Sequence, residues 1–407
     1  MPTFDHPFAA LVLFAPLTFC VATLAGNALA RAGFPLPDTR QRIGHIDGLR
    51  GYLALSVLVH HFVVWTGITR LNLGWAAPAD NVLNQLGPGA VALFFMTTGF
   101  VFYPRVLTGW RANRWVAVYI GRVFRIVPLV AASVVTIALI VHWRTGAAAG
   151  WRDVRAAALW ISSWSQPPLL GYSSASRLNA HVLWSLWHEW FFYLLVLPAC
   201  AIGMDLVRGR LPSWSIPAAL LIGALTARAI DVPRNIPTYL PLFAIGMLAF
   251  EIARHANVKA RLRGGRAAAV AGLSLAVAMS MFHEPFHIVP LSGFALFFTA
   301  VACGNPMGGL LATRGARVLG ECSYGLYLLH GIVLALTFVE GRAWVDRLPV
   351  SWVGVILPVL TILAVLVTAV TYLIIERPGI RAGRYLSGWW TGRGRPAVGA
   401  TELEVAP

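Results

Sequence analysis

The sequence predicts an all-α integral membrane protein with about eleven transmembrane helices. Of its 407 residues, 58% are hydrophobic and only 12% are charged, and the mean hydropathy is +0.70. A soluble domain carries roughly 25% charged residues, so lipid must solvate most of this chain. Apolar runs of about 20 residues, the length that crosses a bilayer, recur along the sequence with short basic clusters between them.

Eleven apolar runs qualify as spans, and most connections between them are short. The first run is interpreted as a retained helix rather than a signal peptide, because its leader, Met1–Pro7, contains no Lys or Arg. The long connection 142–182 is expected to hold a re-entrant or interfacial helix near 153–165. The predicted spans are residues 8–30, 49–68, 86–104, 118–141, 183–203, 213–230, 237–253, 266–282, 287–303, 319–339 and 350–375.

The basic residues predict the orientation of these spans. With the N-terminus outside and the C-terminus in the cytoplasm, the inner segments hold most of the 32 Lys and Arg residues, as the positive-inside rule requires. These clusters also explain the net charge of +16 without a basic face that binds nucleic acid. The four cysteines lie in apolar runs, which argues against a disulfide framework or a CxxC metal site.

Arg50 and His61 in the second span are the first candidate functional residues. They are eleven residues apart, which at about 100° per residue returns them to within about 20° of one helix face, with a rise of about 16 Å. An arginine at the inner surface would therefore lie below an imidazole near the bilayer centre. This arrangement suits a donor with an anionic part in the cytoplasm and a reactive end that reaches a general base. The alternative is a histidine that only hydrogen-bonds across the helix bundle.

Glu189 in the fifth span is the predicted partner of His61. A buried carboxylate is costly unless it is paired, and both side chains are expected near mid-membrane depth. Glu189 would then orient the imidazole and stabilise its charged form. The alternative is an ion pair between Glu189 and an arginine with only a structural role.

Two further groups complete the predicted site. Arg122 and Arg125 lie three residues apart at the inner end of the fourth span, so they share a helix face and can bind phosphates. The alternative is that they only anchor the helix at the inner surface. Tyr327 and His330 share a face of a later span, where His330 either lines the pocket or is packed in the core.

One motif resembles a zinc site but is not expected to bind metal. His283-Glu284-Pro285-Phe286-His287 matches the pattern H-E-x-x-H, which needs a continuous helix for both histidines to face one ion. Pro285 falls in an expected turn between two spans, and no third ligand is evident.

Several motifs together resemble the membrane-bound acyltransferase 3 family over roughly residues 42–378. Each motif alone is weak, but their order and spacing are specific. The matching pieces are Asp47–Gly51 with His61–Phe62, Phe94–Phe100, Arg122–Pro128, Trp184–Leu186 with Glu189 and Phe192–Tyr193, Ser323–His330, and Glu376–Pro378.

The resemblance implies the domain organisation. A ten-helix acyltransferase membrane domain would span residues 37–380. The apolar and charge patterns of the sequence itself add an extra transmembrane helix and linker at 1–36 and a basic, disordered cytoplasmic tail at 381–407. The resemblance also implies a multi-pass protein of the bacterial cytoplasmic (inner) membrane.

The resemblance further implies an O-acyltransferase for groups other than aminoacyl groups. The donor would be cytoplasmic acetyl-CoA or another acyl-CoA, used as a co-substrate with no bound cofactor, and the acceptor a hydroxyl of a sugar, polysaccharide or glycoside. Arg50, Arg122 and Arg125 would bind the CoA phosphates, with Tyr327 and His330 lining the donor site. His61 would act as general base or carry the acyl group covalently. Either this chain performs the whole transfer, or an extracytoplasmic partner transferase completes it.

Two other functions remain open from the sequence. A proton-coupled transporter or flippase also uses histidine and glutamate in mid-membrane, although no inverted repeat is evident. An intramembrane metalloprotease would depend on the His283 motif alone.

Overall fold

The computed structural model describes residues 11–37, 44–230 and 236–390, and the described chain is helical without a β-strand. Helices are the expected solution, because backbone N–H and C=O groups in lipid must be satisfied within the segment itself. The main helices are α1 (Leu11–Arg31), α2 (Gly44–Arg70), α3 (Pro88–Thr108), α4 (Trp115–Thr145), α5 (Leu183–Val207), α6 (Ser215–Ala229), α7 (Ile236–Arg254), α8 (Gly265–Met281), α9 (Ile288–Ala302), α10 (Arg314–Glu321), α11 (Ser323–Glu340) and α12 (Val350–Trp390). Shorter helices are Asn81–Gln85, Trp151–Ile161, Ala175–Asn179, Ala256–Leu262, Leu310–Ala312 and Arg342–Val345.

The described residues contain seven helices long and apolar enough to cross a membrane, so the chain is a multi-pass membrane protein. The number rises to eight if Ala256–Leu262 and α8, which are bent by 71° relative to each other, form one span. The predicted count of eleven is therefore not confirmed. The difference comes from α6 and α9, which have only 15 residues each, from the bent pair, and from α1, which is 21 residues long but not among the seven.

Two parallel helices, α2 and α11, form the centre of the bundle. Gly51 near the start of α2 abuts Leu319 and Gly320 at the end of α10, and farther along His61 contacts His330 of α11. The helices can approach this closely because Gly51 has no side chain. A Cβ at that position would lie only 2.8 Å from the Gly320 backbone nitrogen. Helix α2 is buried on most of its circumference, in agreement with its central position.

The remaining helices surround this pair. Helix α3 packs against α2, α5 and α7, while α9 packs against α7 and α8. Helix α1 packs against α10 and α12, with Gly26 directly against the Gly315 backbone. The predicted helix near 153–165 is present as Trp151–Ile161.

The C-terminal helix continues farther than the sequence predicts. Helix α12 extends to Trp390, so residues 381–390, which were expected to belong to a disordered tail, are helical, and 391–407 lie outside the described residues. Its last part, Arg377–Trp390, packs along α4, where Gly379 and Gly383 allow close contact with Phe124. This packing explains the additional turns.

Candidate active site

A cavity of about 270 Å³ lies between α2, α3, α4, α5, α7, α11 and α12. Each helix lines the cavity over a limited stretch, so the cavity has two ends with different side chains. Arg50, Arg122, Arg125 and Arg384 line one end, here called the arginine end. Ser185 and Tyr327 line the other end, at the level where α11 continues towards His330.

The arginine end brings together the three arginines predicted to bind phosphates. Arg50 forms an ion pair with Asp47 at 3.6 Å, and the Arg122 guanidinium lies 5.0 Å from the Phe102 ring centroid and 5.8 Å from that of Tyr193. Arg125 also lines the cavity and makes no hydrogen bond to another described residue. Cations facing one cavity form a suitable surface for a polyanion.

Glu189 does not pair with His61, so this prediction is wrong. Its carboxylate accepts a hydrogen bond from the Tyr193 hydroxyl at 3.2 Å, and Arg122 is its strongest electrostatic neighbour. Glu189 therefore interacts with Tyr193 and Arg122 and not with the imidazole.

The error arises from the depth at which α5 begins. Gly331, next to His330, lies against the backbone of Asn179, and His181 stacks edge-on against Trp75, which contacts His61. The segment before α5 therefore occupies the level of the histidines. Because α5 begins below that level, Glu189 lies farther towards the arginine end.

His61 pairs with His330 instead. The distance from His61 Nδ1 to His330 Nε2 is 3.0 Å, and His330 is fully buried. Val57 O lies 3.0 Å from His61 Nδ1, and Leu326 O lies 3.1 Å from His330 Nδ1. The predicted choice between a pocket-lining and a packed His330 is thus resolved: His330 is a core residue that contacts His61.

These contacts favour one arrangement of protons in the neutral pair. A carbonyl oxygen only accepts, so these bonds place the proton on Nδ1 of each ring, and His61 Nδ1–H is shared between the Val57 carbonyl and His330 Nε2. His330 Nε2 is then an acceptor for His61 Nδ1–H, and the unprotonated nitrogen of His61 is Nε2. A lone pair on Nε2, held in place by the other ring nitrogen, is what a general base requires.

Ser185 and Tyr327 separate the cavity from this imidazole pair. Their hydroxyl oxygens are 2.8 Å apart, and both side chains are buried. Tyr327 lines the cavity, whereas neither His61 nor His330 belongs to its described lining. As formed here, the cavity ends one helical turn before the histidines.

An aromatic cluster covers His61 on the side away from the cavity. Trp75 lies with its ring centroid 6.1 Å from that of His61 and 4.9 Å from that of His181. Ala180 and His181 adopt consecutive left-handed conformations (φ 55° and 56°), which are costly for residues with a Cβ. Burial, followed by the charge of Arg177, lowers the pKa of His181, which favours the neutral ring.

Several residues near the cavity were not predicted as site residues. Tyr193, Tyr324 and Arg384 line it, and Glu376 lies beside Arg125 with both carboxylate oxygens buried and lacking a hydrogen-bond partner in the described chain. Tyr193 and Glu376 fall in π-helical turns, Phe192–Val196 and Tyr372–Glu376. Such turns often occur at functional sites but shift residues off the regular helical period, which hides them from a periodicity search.

The H-E-x-x-H motif lies in the turn between α8 and α9, as expected. Residues 282–287 are not helical, and Asn84 and Gln85 donate hydrogen bonds to the His283 carbonyl. The two histidines therefore do not lie on one continuous helix. No group of three metal-ligating side chains occurs in the part of the chain that the structure describes.

Comparison with known protein families gives one match. The sequence model of the acyltransferase 3 family, described as an acyltransferase domain, matches residues 43–375. The match begins at the start of α2 and ends near the π-helical turn of α12. It therefore covers the helices that line the cavity, apart from the last part of α12, and excludes α1. No match was found among the curated proteins or the solved structures.

Proposed function

Because the chain belongs to the acyltransferase 3 family, we propose that it transfers an acyl group, most simply acetyl, from cytoplasmic acyl-CoA to a hydroxyl of a sugar or glycoside acceptor. The observation that carries this proposal is the hydrogen-bonded His61–His330 pair, which lies one helical turn beyond a cavity with an arginine-lined end. We further propose that the arginine end faces the cytoplasm of a bacterial inner membrane, in accord with the positive-inside rule.

The donor would bind with its phosphates at the arginine end. Arg122 and Arg125 are the main candidates for phosphate contacts because both line the cavity from α4. Arg50 contributes from α2, where Asp47 holds its side chain. The pantetheine arm is on the order of 15–20 Å long by counting bonds at covalent spacing, which matches the rise of about 16 Å from Arg50 to His61.

His61 would be the catalytic base. Its Nε2 takes the proton of the acceptor hydroxyl while the hydroxyl oxygen attacks the thioester carbonyl carbon. A C–O bond forms, the C–S bond breaks, and the leaving sulfur receives the proton from the His61 imidazolium. The products are an O-acyl ester and free CoA thiol. His330 is a positioning residue, because its Nε2 accepts from His61 Nδ1 and stabilises the imidazolium.

Glu189 has a different proposed role from the one expected. It accepts a hydrogen bond from the Tyr193 hydroxyl, lies in the field of Arg122, and lines the cavity together with both residues. We therefore propose that it organises the donor site and does not orient the imidazole.

Mass spectrometry of cell-surface glycans and secreted glycosides tests the proposal. Three strains are compared. The first carries the intact gene, the second a disrupted gene, and the third a gene that encodes the His61→Ala variant. The proposal predicts an acyl mass increment only in the first strain. A transporter or flippase would change the amount of a substrate without a new ester, and identical acylation in all three strains would reject the proposal.

A further inference from the structure

The end of the cavity is closed by three contacts around one phenol. The Tyr327 hydroxyl oxygen lies 2.8 Å from Ser185 Oγ and 3.4 Å from the Val182 carbonyl oxygen. Ser185 Oγ donates to the same carbonyl at 3.0 Å. The Tyr327 ring packs edge-on against Phe94, with ring centroids 5.8 Å apart.

This closure lies between the arginines and the imidazole pair. Tyr327 precedes His330 by three residues on α11, a rise of about 4.5 Å, and their ring centroids are 6.3 Å apart. Arg50 lies on the other side of the closure, because it lines the cavity and His61 does not. A thioester with its phosphates on the arginines therefore meets Tyr327 before it reaches His61.

We infer that the Ser185–Tyr327 pair is a gate between the donor cavity and the His61–His330 pair, and that the Tyr327 ring limits the length of the acyl chain that can pass. This inference rests on the proposed function, since it takes the cavity as the binding site of an acyl-CoA. The Ser185–Tyr327 bond is a neutral hydrogen bond, which gives only modest net stabilisation, so an entering acyl group can displace it.

The ring itself selects by size. When the hydroxyls separate, the phenol remains beside the path, because Phe94 on α3 blocks its movement in one direction. A two-carbon acyl group needs the least space to pass the ring, whereas each further methylene must displace more atoms of a core that is already packed. The gate therefore admits short acyl thioesters and excludes long ones.

Binding measurements on the purified full-length protein in detergent test the gate without knowledge of the acceptor. Dissociation constants are measured by calorimetry for CoA, acetyl-CoA and hexanoyl-CoA. Tyr327→Ala is expected to raise the affinity for hexanoyl-CoA relative to acetyl-CoA by about tenfold, the effect of making room in an apolar pocket. Tyr327→Leu, which keeps a large apolar side chain on the helix, is expected to shift the ratio in the same direction by a smaller factor.

Two phenol variants serve as controls for this ratio. Tyr327→Phe removes the hydroxyl but keeps the ring, so the ratio should stay within about twofold of that of the unaltered protein. Tyr324→Phe makes the same change on a neighbouring cavity residue whose hydroxyl donates to the Ile126 carbonyl at 2.8 Å, and it should also leave the ratio unchanged.

The outcomes separate the gate from the proposed function. If the unaltered protein binds acetyl-CoA and both Tyr327→Ala and Tyr327→Leu keep its ratio of hexanoyl-CoA to acetyl-CoA affinity, the gate is rejected while the proposed function stands. If the unaltered protein binds neither CoA nor any acyl-CoA, the proposed function is rejected and the gate with it.

Discussion

At the scale of single residues, the proposed chemistry depends on the order of protons along the His61–His330 hydrogen bond. Two backbone carbonyls, those of Val57 and Leu326, lie within hydrogen-bond distance of Nδ1 of the two rings and favour the tautomer with the proton on Nδ1. His61 Nε2 is consequently the basic nitrogen, and His330 never has to contact a substrate. A histidine pair can thus replace the carboxylate–histidine pair expected from the sequence, since either partner accepts from the protonated nitrogen of the base.

Replacing His330 tests this positioning role. His330→Ala should lower kcat by roughly 10²-fold, the scale of general base catalysis, and leave the KM for acyl-CoA nearly unchanged. His330→Gln offers a carbonyl oxygen as acceptor and should restore part of the rate. If both variants raise KM with kcat intact, His330 serves only to shape the donor site.

Replacing Arg122 tests the phosphate-binding role of the arginine end. Arg122→Ala should raise the KM for acyl-CoA by about tenfold with a smaller change in kcat, since a charge-assisted hydrogen bond contributes roughly 1.5–3 kcal/mol. Arg122→Lys should restore part of the affinity because it keeps the charge but loses the planar fork. Arg381, an exposed arginine of α12 that does not line the cavity, provides the control through Arg381→Ala.

The sequence was sufficient to predict that the three arginines lie together, but not to predict which residue contacts His61. Arg50, Arg122 and Arg125 converge because helical period and topology put all three at one end of the bundle. The position of Glu189 depends on how far the irregular segment before α5 enters the bundle, and His181 and Asn179 of that segment lie at the level of the histidines. No periodic pattern encodes that depth.

At the scale of helices, the cavity depends on two glycines that allow α3 and α7 to touch. A Cβ at Gly99 would lie 2.1 Å from the Phe243 carbonyl oxygen. A Cβ at Gly246 would overlap the Met96 carbonyl oxygen and lie 2.8 Å from the Met96 carbonyl carbon. Since α3 lines the cavity with Phe94 and Thr98, separating the two helices would also move that wall.

Gly246→Ala should therefore lower thermal stability and weaken acyl-CoA binding together. The free energy of unfolding is expected to fall by about 1–3 kcal/mol, the usual cost of forcing extra atoms into a packed interior. A decrease in Tm of the detergent-solubilised protein would report this loss. Gly223→Ala on α6 is the matched control, because a Cβ there meets no atom within 4 Å, and it should be neutral or slightly stabilising. Equal Tm values for both variants would argue against tight α3–α7 packing.

Helix positions were predictable from the apolar runs, whereas breaks within helices were not. The predicted span 183–203 corresponds to α5, yet nothing in its composition marks the π-helical turn Phe192–Val196 that turns Tyr193 towards Glu189. The continuation of α12 along α4 depends on contacts of Gly379 and Gly383 with Phe124, which join residues far apart in sequence.

At the scale of the whole molecule, the central pair α2 and α11 connects the two halves of the proposed reaction. Arg50 lines one end of the cavity, and His61 on the same helix lies beyond the gate with its partner His330. Donor and acceptor would then approach the base from opposite sides of the membrane. The fold class follows from composition alone, whereas the count of spans does not, because short helices such as α6 and α9 pack among longer ones.

The most direct test is transfer of radiolabelled acetyl from acetyl-CoA supplied to sealed inverted membrane vesicles, in which the cytoplasmic face is outside. Vesicles containing the unaltered protein should attach the label to carbohydrate material inside the vesicle. Vesicles containing His61→Ala should bind acetyl-CoA with the same affinity and attach no label. Full labelling by the His61→Ala protein, at normal expression and stability, would contradict the central role of the imidazole pair.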